Sequence, residues 1–254
     1  MTVFKGDMST TRDAETNLAI WLRRIDPAGR LTASARDALG SSLGRVRPFQ
    51  ARETLFHEGD APSDAVLVLE GIAARVKEQP SGGRAIVALL LPGELCNGGL
   101  QLFRHLEHSL RALTDGRAAR IATATLQRLE AQHPELHAAL LRAAAQDDAL
   151  AREWIVNLEV RSAQGRVAHL LCELFVRMRA LGLAAGAACA VPLLQQDIGD
   201  ATGLSAVHVS RVLQALRRAG VVRLGRGALE ILNFPRLADM AAFRPDYLEL
   251  LEAV

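Results

Sequence analysis

The chain has 254 residues, half of them hydrophobic but only 4% aromatic, so its cores must be built from Leu, Ala and Val. That length supports one large domain or two small ones, and the apolar content excludes global disorder. With 30 basic residues against 28 acidic ones and a formal net charge of +2, bulk charge implies no nucleic-acid partner, and local clustering has to decide the matter. The opening residues lack the apolar core of a signal peptide, and no run of about 18 uncharged apolar residues follows. The expectation is a cytoplasmic protein with no membrane partner.

Residues 13 to 43 read as helical, with Leu18, Trp21, Leu22 and Ile25 at helix spacing, a break at Asp26-Pro27, and a second short helix over Leu31–Leu43. From about Arg45 turn signals recur: Glu58-Gly59-Asp60-Ala61-Pro62, Glu70-Gly71, Gln79-Pro80-Ser81-Gly82-Gly83 and Pro92-Gly93. Short apolar runs such as Ala65–Leu69 and Ala85–Leu91 lie between them. This texture predicts a small β-sandwich or β-roll ending near Ile121.

A helix is expected from Pro134 to about Val160. It carries two apolar seams: Leu136, Leu140, Ala143, Asp147, Leu150 and Trp154 on one, and Leu141, Ala144, Asp148, Ala151, Ile155 and Leu158 on the other. Two seams need two coverings. The β-domain would cover one and a twin helix of a second copy the other; the plain alternative is burial within one large domain. Each seam is interrupted by one Asp, which lowers stability and would set register. Another amphipathic helix spans Ser162–Leu181, and a Gly/Ala-rich connector, Gly182–Ala190, leads to Pro192.

The stretch 198–222, IGDATGLSAVHVSRVLQALRRAGVV, fits a helix-turn-helix. Leu193–Ala201 forms the first helix, with Gly199 at a close crossing and Gly203 in the turn, where positive φ suits glycine. Ser205 is a good N-cap for the second helix. There Val209, Val212, Leu213 and Leu216 face inward, leaving Ala206, Val207, Ser210 and Arg211 outward, with His208 beside them and Arg217 and Arg218 beyond. Small residues admit the helix to a groove, and Arg can grip a guanine edge. The run Val221–Ile231 reads as a hairpin wing whose Arg223 and Arg226 would reach the DNA backbone. Five arginines and no acid fall between residues 211 and 226.

From about residue 45 to 235 the chain resembles the Crp/Fnr transcription regulators. FHEGD (56–60), LVLEGIAARV (67–76) and LPGEL (91–95) resemble the family's β-roll; WIVNLEVRSAQGRVAHLLCEL (154–174) resembles its dimer helix and hinge; the quoted stretch resembles its recognition corner. The resemblance implies an α+β chain: a helical segment at 1–44, a cyclic-nucleotide-binding-like jelly roll at 45–133, a dimerisation helix at 134–160, a winged helix-turn-helix at 161–240 and a tail at 241–254. It implies a homodimer on an inverted-repeat operator in double-stranded DNA, with RNA polymerase as a partner. The family's usual recognition-helix Glu is replaced here by Val207, which shifts the expected half-site, whereas Ser210 and Arg211 match. His208 is either a phosphate or base contact or a plain exposed histidine.

The resemblance places an effector pocket near Glu94, Leu95, Cys96, His108, Ser109 and Arg152. Cyclic-AMP binders carry an Arg where this chain has His108, so loss of that fixed charge argues against cyclic AMP; a rebuilt phosphate site using Arg104 or Arg111 is the alternative. Gly93-Glu94-Leu95 also serves as a simple turn in members that bind no nucleotide. The N-terminal cysteine cluster of the oxygen sensors is absent, since the three cysteines are Cys96, Cys172 and Cys189. Their odd number and wide spacing predict no disulfide framework and no metal site, and three thiolates fall short of an iron–sulfur cluster's usual four. Haem would need His57, His105, His108 or Cys96, and no spacing selects one; the cofactor stays unassigned. Cys96 and Cys172 are each either a redox sensor or a small buried hydrophobe. A ligand-switched enzyme subunit is the competing reading, but no catalytic motif supports it.

Overall fold

A computed structural model describes residues 8–61, 63–80, 82–97, 104–225 and 227–249. By contact the chain forms two compact units, Met1–Ala73 with Leu90–Ala144, and Ala74–Leu89 with Ala145–Val254.

In the first unit, α1 (Met8–Ile25) and α2 (Ala33–Ser42) precede a four-stranded antiparallel sheet in the order β1-β8-β3-β6, formed by Val46–Phe49, Gly116–Ala122, Asp64–Glu70 and Leu95–Cys96. Asp26 ends α1 by accepting the N–H groups of Arg30 and Leu31 at 2.7 and 3.0 Å. Strand β3 explains why AVLVL is unbroken in the sequence: a strand buried on both faces has no polar side to show. Ala65, Leu67 and Leu69 pack with Trp21, Leu39, Leu126 and Leu136 of the helices. The alternate residues Val66 and Val68 join Phe49, Phe56, Cys96 and Leu110 inside the roll. The pair β2 (Thr54–Phe56) and β7 (Ser109–Ala112) lines that interior. At the Glu70-Gly71 turn φ is +81°, and a Cβ on Gly71 would meet the Asp115 carbonyl oxygen at 2.4 Å, so only glycine fits. After β8, a further helix, α3 (Thr123–Gln132), leads into α4 (Pro134–Val160).

The second unit holds the hairpin of β4 (Ala73–Glu78) and β5 (Arg84–Leu90), the later turns of α4, α5 (Ala163–Ala180), α6 (Gln195–Thr202), α7 (Ala206–Arg218) and α8 (Phe234–Ala241). The supposed connector 182–190 is a hairpin of β9 (Ala184–Ala185) and β10 (Ala188–Ala190). It joins β11 (Val222–Gly225) and β12 (Ala228–Ile231) in a sheet ordered β11-β12-β10-β9. Alanine has little strand preference, so cross-strand pairing makes these residues extended: β10 pairs with β12 of the wing, and β9 with β10. The stretch beyond residue 240, expected as a tail, packs in: Leu248 is 4% exposed, and the Tyr247 hydroxyl donates to Glu173 Oε2 at 3.1 Å.

Glu173 is the centre of a buried polar network. Its carboxylate also accepts from Trp154 Nε1 at 3.0 Å and Arg177 NH1 at 2.9 Å, while Arg177 NH2 reaches the Leu89 carbonyl at 2.8 Å. Burial pushes the Glu173 carboxyl up and these partners pull it down. The network ties α4 to α5 across the two-residue link Arg161-Ser162, where Ser162 caps α5 by accepting from the Gly165 N–H at 3.2 Å. Among the described residues no helix is long and apolar enough to cross a membrane.

Candidate nucleic-acid interface

The corner is built by local physics. Helix α6 ends at Gly203, whose φ of 65° and ψ of 34° lie in the left-handed region. Gly199 is required for a different reason. A Cβ there would stand 2.4 Å from the Leu204 carbonyl oxygen, so the chain entering α7 crosses α6 at backbone contact. Ser205 then takes extended angles, and its hydroxyl accepts from the His208 N–H at 3.2 Å, which satisfies one orphan donor of α7. Val209, Val212, Leu213 and Leu216 are buried, fixing which face of α7 turns out.

That outward face carries Ala206, Val207, His208 and Arg211, all exposed, with Ser210 half-buried. Arg217 and Arg218 lie in the last turn, where they complement the helix dipole. The Arg217 guanidinium also donates to the Leu224 carbonyl at 3.0 Å and so fastens the helix to the wing. In the wing, register sets Arg223 opposite Glu230, and the two pair at 2.5 Å. The sequence window that showed five arginines and no acid stops short of Glu230, so this partner was missed. Arg226 lies outside the described residues. Helix α6 is held in turn by Arg84 of β5, whose Nε donates to Asp200 Oδ2 at 2.8 Å, with Asp197 Oδ1 at 3.7 Å. Asp197 also accepts the Leu194 N–H at 3.0 Å.

On α4 the two seams part company. Leu136 and Trp154 are buried and Leu140, Ala143, Asp147 and Leu150 half-buried, whereas Leu141, Ala144, Asp148, Ala151, Ile155 and Leu158 are all exposed. Leu141 and Ile155 are each 61% exposed.

Of the expected effector residues, Glu94 is 7% exposed, accepts the Leu91 N–H at 2.9 Å and pairs with Arg24 Nε at 3.4 Å. Gly93 beside it takes φ of +87° against the Ile20 carbonyl. Both thus shape a turn. Leu95 and Cys96 pair with Leu67 and Val66 in the sheet, and Ser109 Oγ accepts the Glu58 N–H at 3.0 Å. Cys96 and His108 are brought together, Sγ to Nε2 at 3.4 Å. Arg152, on α4 in the second unit, pairs with Asp148 one turn earlier.

Comparison with known proteins gives these features a context. A family model described as a Crp-like helix-turn-helix domain matches residues 165–240, and one for a cyclic nucleotide-binding domain matches 46–133. The nitrogen fixation regulation protein FixK of Bradyrhizobium diazoefficiens is 33% identical over 202 residues, covering 79% of this chain and 83% of that one. The transcriptional activator FnrL of Cereibacter sphaeroides is 28% identical, covering 77% and 79%. Among solved structures, FixK2 from Bradyrhizobium japonicum superposes with a TM-score of 0.71 at 24% identity, over 80% of this chain and 99% of that one.

Proposed function

Because the chain belongs to the Crp/Fnr family of DNA-binding transcription regulators, we propose that it works in the cytoplasm as a homodimer on a two-fold symmetric operator. The exposed seam of α4 would pair with its twin. Two copies of α7 would then enter successive major grooves about one helical turn apart. The observation that carries this reading is the outward face of α7, where Ala206 and Val207 allow close approach and Arg211 stands exposed to grip a base edge. Arg217, Arg218 and Arg223 would contact phosphates, and RNA polymerase is the partner through which binding changes transcription.

The β-roll would take a small-molecule or redox signal and not cyclic AMP. Glu94, the carboxylate a nucleotide sugar would need, is committed to Leu91 and Arg24. His108 stands where nucleotide-binding relatives carry Arg, and its Nδ1 is held by Glu107. A route from signal to DNA is available in the hairpin 74–89. It falls inside the stretch matched by the cyclic nucleotide-binding model, yet its Arg84 grips α6.

Binding to an inverted-repeat duplex tests the recognition helix. Arg211→Ala is expected to weaken binding by about 1–3 kcal/mol and to relax preference at one base pair per half-site. Unchanged affinity and base preference would remove α7 as the reading element.

A further inference from the structure

Cys96 closes β6 and His108 immediately precedes β7, both in the first unit, and they are 0% and 2% exposed. The sulfur lies 3.4 Å from His108 Nε2 and 3.4 Å from Asn97 Oδ1. His108 Nδ1 is bonded to the Glu107 carboxylate. An ionised carboxylate only accepts, so Nδ1 carries the hydrogen and Nε2 turns its lone pair to the thiol. The ring is held edge-on against Phe56, with centroids 5.6 Å apart. Nucleophile, base and orienting carboxylate thus stand in sequence, the arrangement that activates a thiol.

Asn97 supplies a second, independent sign. It is 2% exposed and sits at φ of 69°, a conformation asparagine adopts more readily than most residues with a side chain. Its Oδ1 accepts a hydrogen bond from the Cys96 thiol at 3.4 Å, while its Nδ2 is buried without an acceptor among the described residues. An orphaned amide donor beside a sulfur is what an oxygen added to that sulfur would satisfy.

We propose that Cys96 is an oxidant-reactive thiol, activated by His108, which hydrogen peroxide converts to a sulfenic acid. The thiol hydrogen turns from Asn97 Oδ1 to His108 Nε2, which takes the proton, and the thiolate sulfur attacks one peroxide oxygen. The S–O bond forms as the O–O bond breaks. The departing hydroxide takes the proton back from His108 and leaves as water, so sulfur loses two electrons and the peroxide gains them. The new oxygen accepts from Asn97 Nδ2. Burial pushes Cys172 up to about 12 and Cys189 up to about 11, which suppresses their thiolates; Cys96 is buried too, and what sets it apart is the His108 imidazole at its sulfur.

The test uses the reduced full-length chain and hydrogen peroxide at neutral pH. Samples are quenched with catalase and denatured in a maleimide, and each cysteine's loss of alkylation is read by peptide mass spectrometry; trapping after denaturation removes any limit on probe access. Cys96 is expected to react at least about tenfold faster than Cys172 or Cys189, and His108→Gln to slow it by about tenfold or more. Glu107→Ala changes a side chain that is 57% exposed, leaves the interior intact and is expected to slow it several-fold. Equal rates at the three cysteines, or a Cys96 rate untouched by both variants, would overturn the assignment. The readout is independent of DNA binding, so failure of the regulator reading and failure of this one are distinguishable.

Discussion

His169 makes the second unit's stability depend on acid. The residue is fully buried on α5, stacked on Tyr247 and edge-on to Phe243, with ring centroids 6.0 and 5.2 Å away. Its Nε2 lies 3.3 Å from Glu153 Oε1 without hydrogen-bond alignment. Burial, helped by Arg161, lowers its pKa from 6.5 to about 3. Between those values the unfolded chain carries a proton at this site that the native chain does not. Stability is therefore fully present above about pH 6.5 and falls with acid by about 1.4 kcal/mol per unit, which makes about 2 kcal/mol between pH 8 and pH 5. Glu173 works in the opposite sense. Its raised carboxyl holds a proton above pH 4.5 in the native state, so its contribution weakens as pH rises through its folded value. Comparing the chain with His169→Leu cancels that background and the packing cost, leaving the slope. Amide exchange across Ala163–Ala180, corrected for its intrinsic pH dependence, should lose about 2 kcal/mol of protection at pH 5 in the wild type and much less in the variant. Equal losses in both would refute a neutral buried imidazole.

Three further outcomes are expected. Gly199→Ala puts a Cβ 2.4 Å from the Leu204 carbonyl; forcing α6 and α7 apart should cost about 1–3 kcal/mol in urea melts and abolish operator binding, and a variant of wild-type stability would mean the crossing can relax. Ile155→Lys, at an exposed seam position, should leave the fold intact and shift sedimentation from dimer to monomer; an unchanged dimer would exclude this face as the interface. Glu230→Gln releases Arg223 from an exposed pair worth about 0–1 kcal/mol. DNA binding should tighten, and the dependence of log K on log salt should steepen by up to about 1 per half-site; no change in either would show that Arg223 never meets phosphate.

What the sequence disclosed is what local physics encodes. The corner was legible because Gly199, Gly203 and Ser205 each answer a backbone demand within a few residues, and the periodic Val209, Val212, Leu213 and Leu216 fix the face. The seams of α4 were legible for the same reason. Features set by distant partners were not. Arg84 meets Asp200 across 116 residues of chain. Glu173 and His169 sit on a helix whose pattern reads as apolar, and only the folded neighbours Trp154, Arg177 and Tyr247 show why a carboxylate is tolerated there. The β9–β10 hairpin is alanine-rich and extended because β10 pairs with the wing and β9 with β10. Ala-rich texture predicts a connector; pairing overrides it.

The two aspartates on α4 show how far periodicity reaches. Both interrupt an apolar seam by the same rule, yet their surroundings differ. Asp147, on the covered seam, meets Arg75 of β4 at 3.3 Å and is neutralised within the unit. Asp148, on the exposed seam, is paired along its own helix, with Arg152 four residues on. Such a helical pair contributes about 0.3–0.5 kcal/mol, too little to hold Arg152 against a stronger anion. If two copies meet along this face, each Asp148 approaches its twin in a setting where like charges repel, and Arg152 is the group that offsets this. A ligand anion that drew Arg152 away would uncover a carboxylate on the pairing face. On that reading, the residue that resemblance assigns to the effector would also be the one on which helix pairing draws.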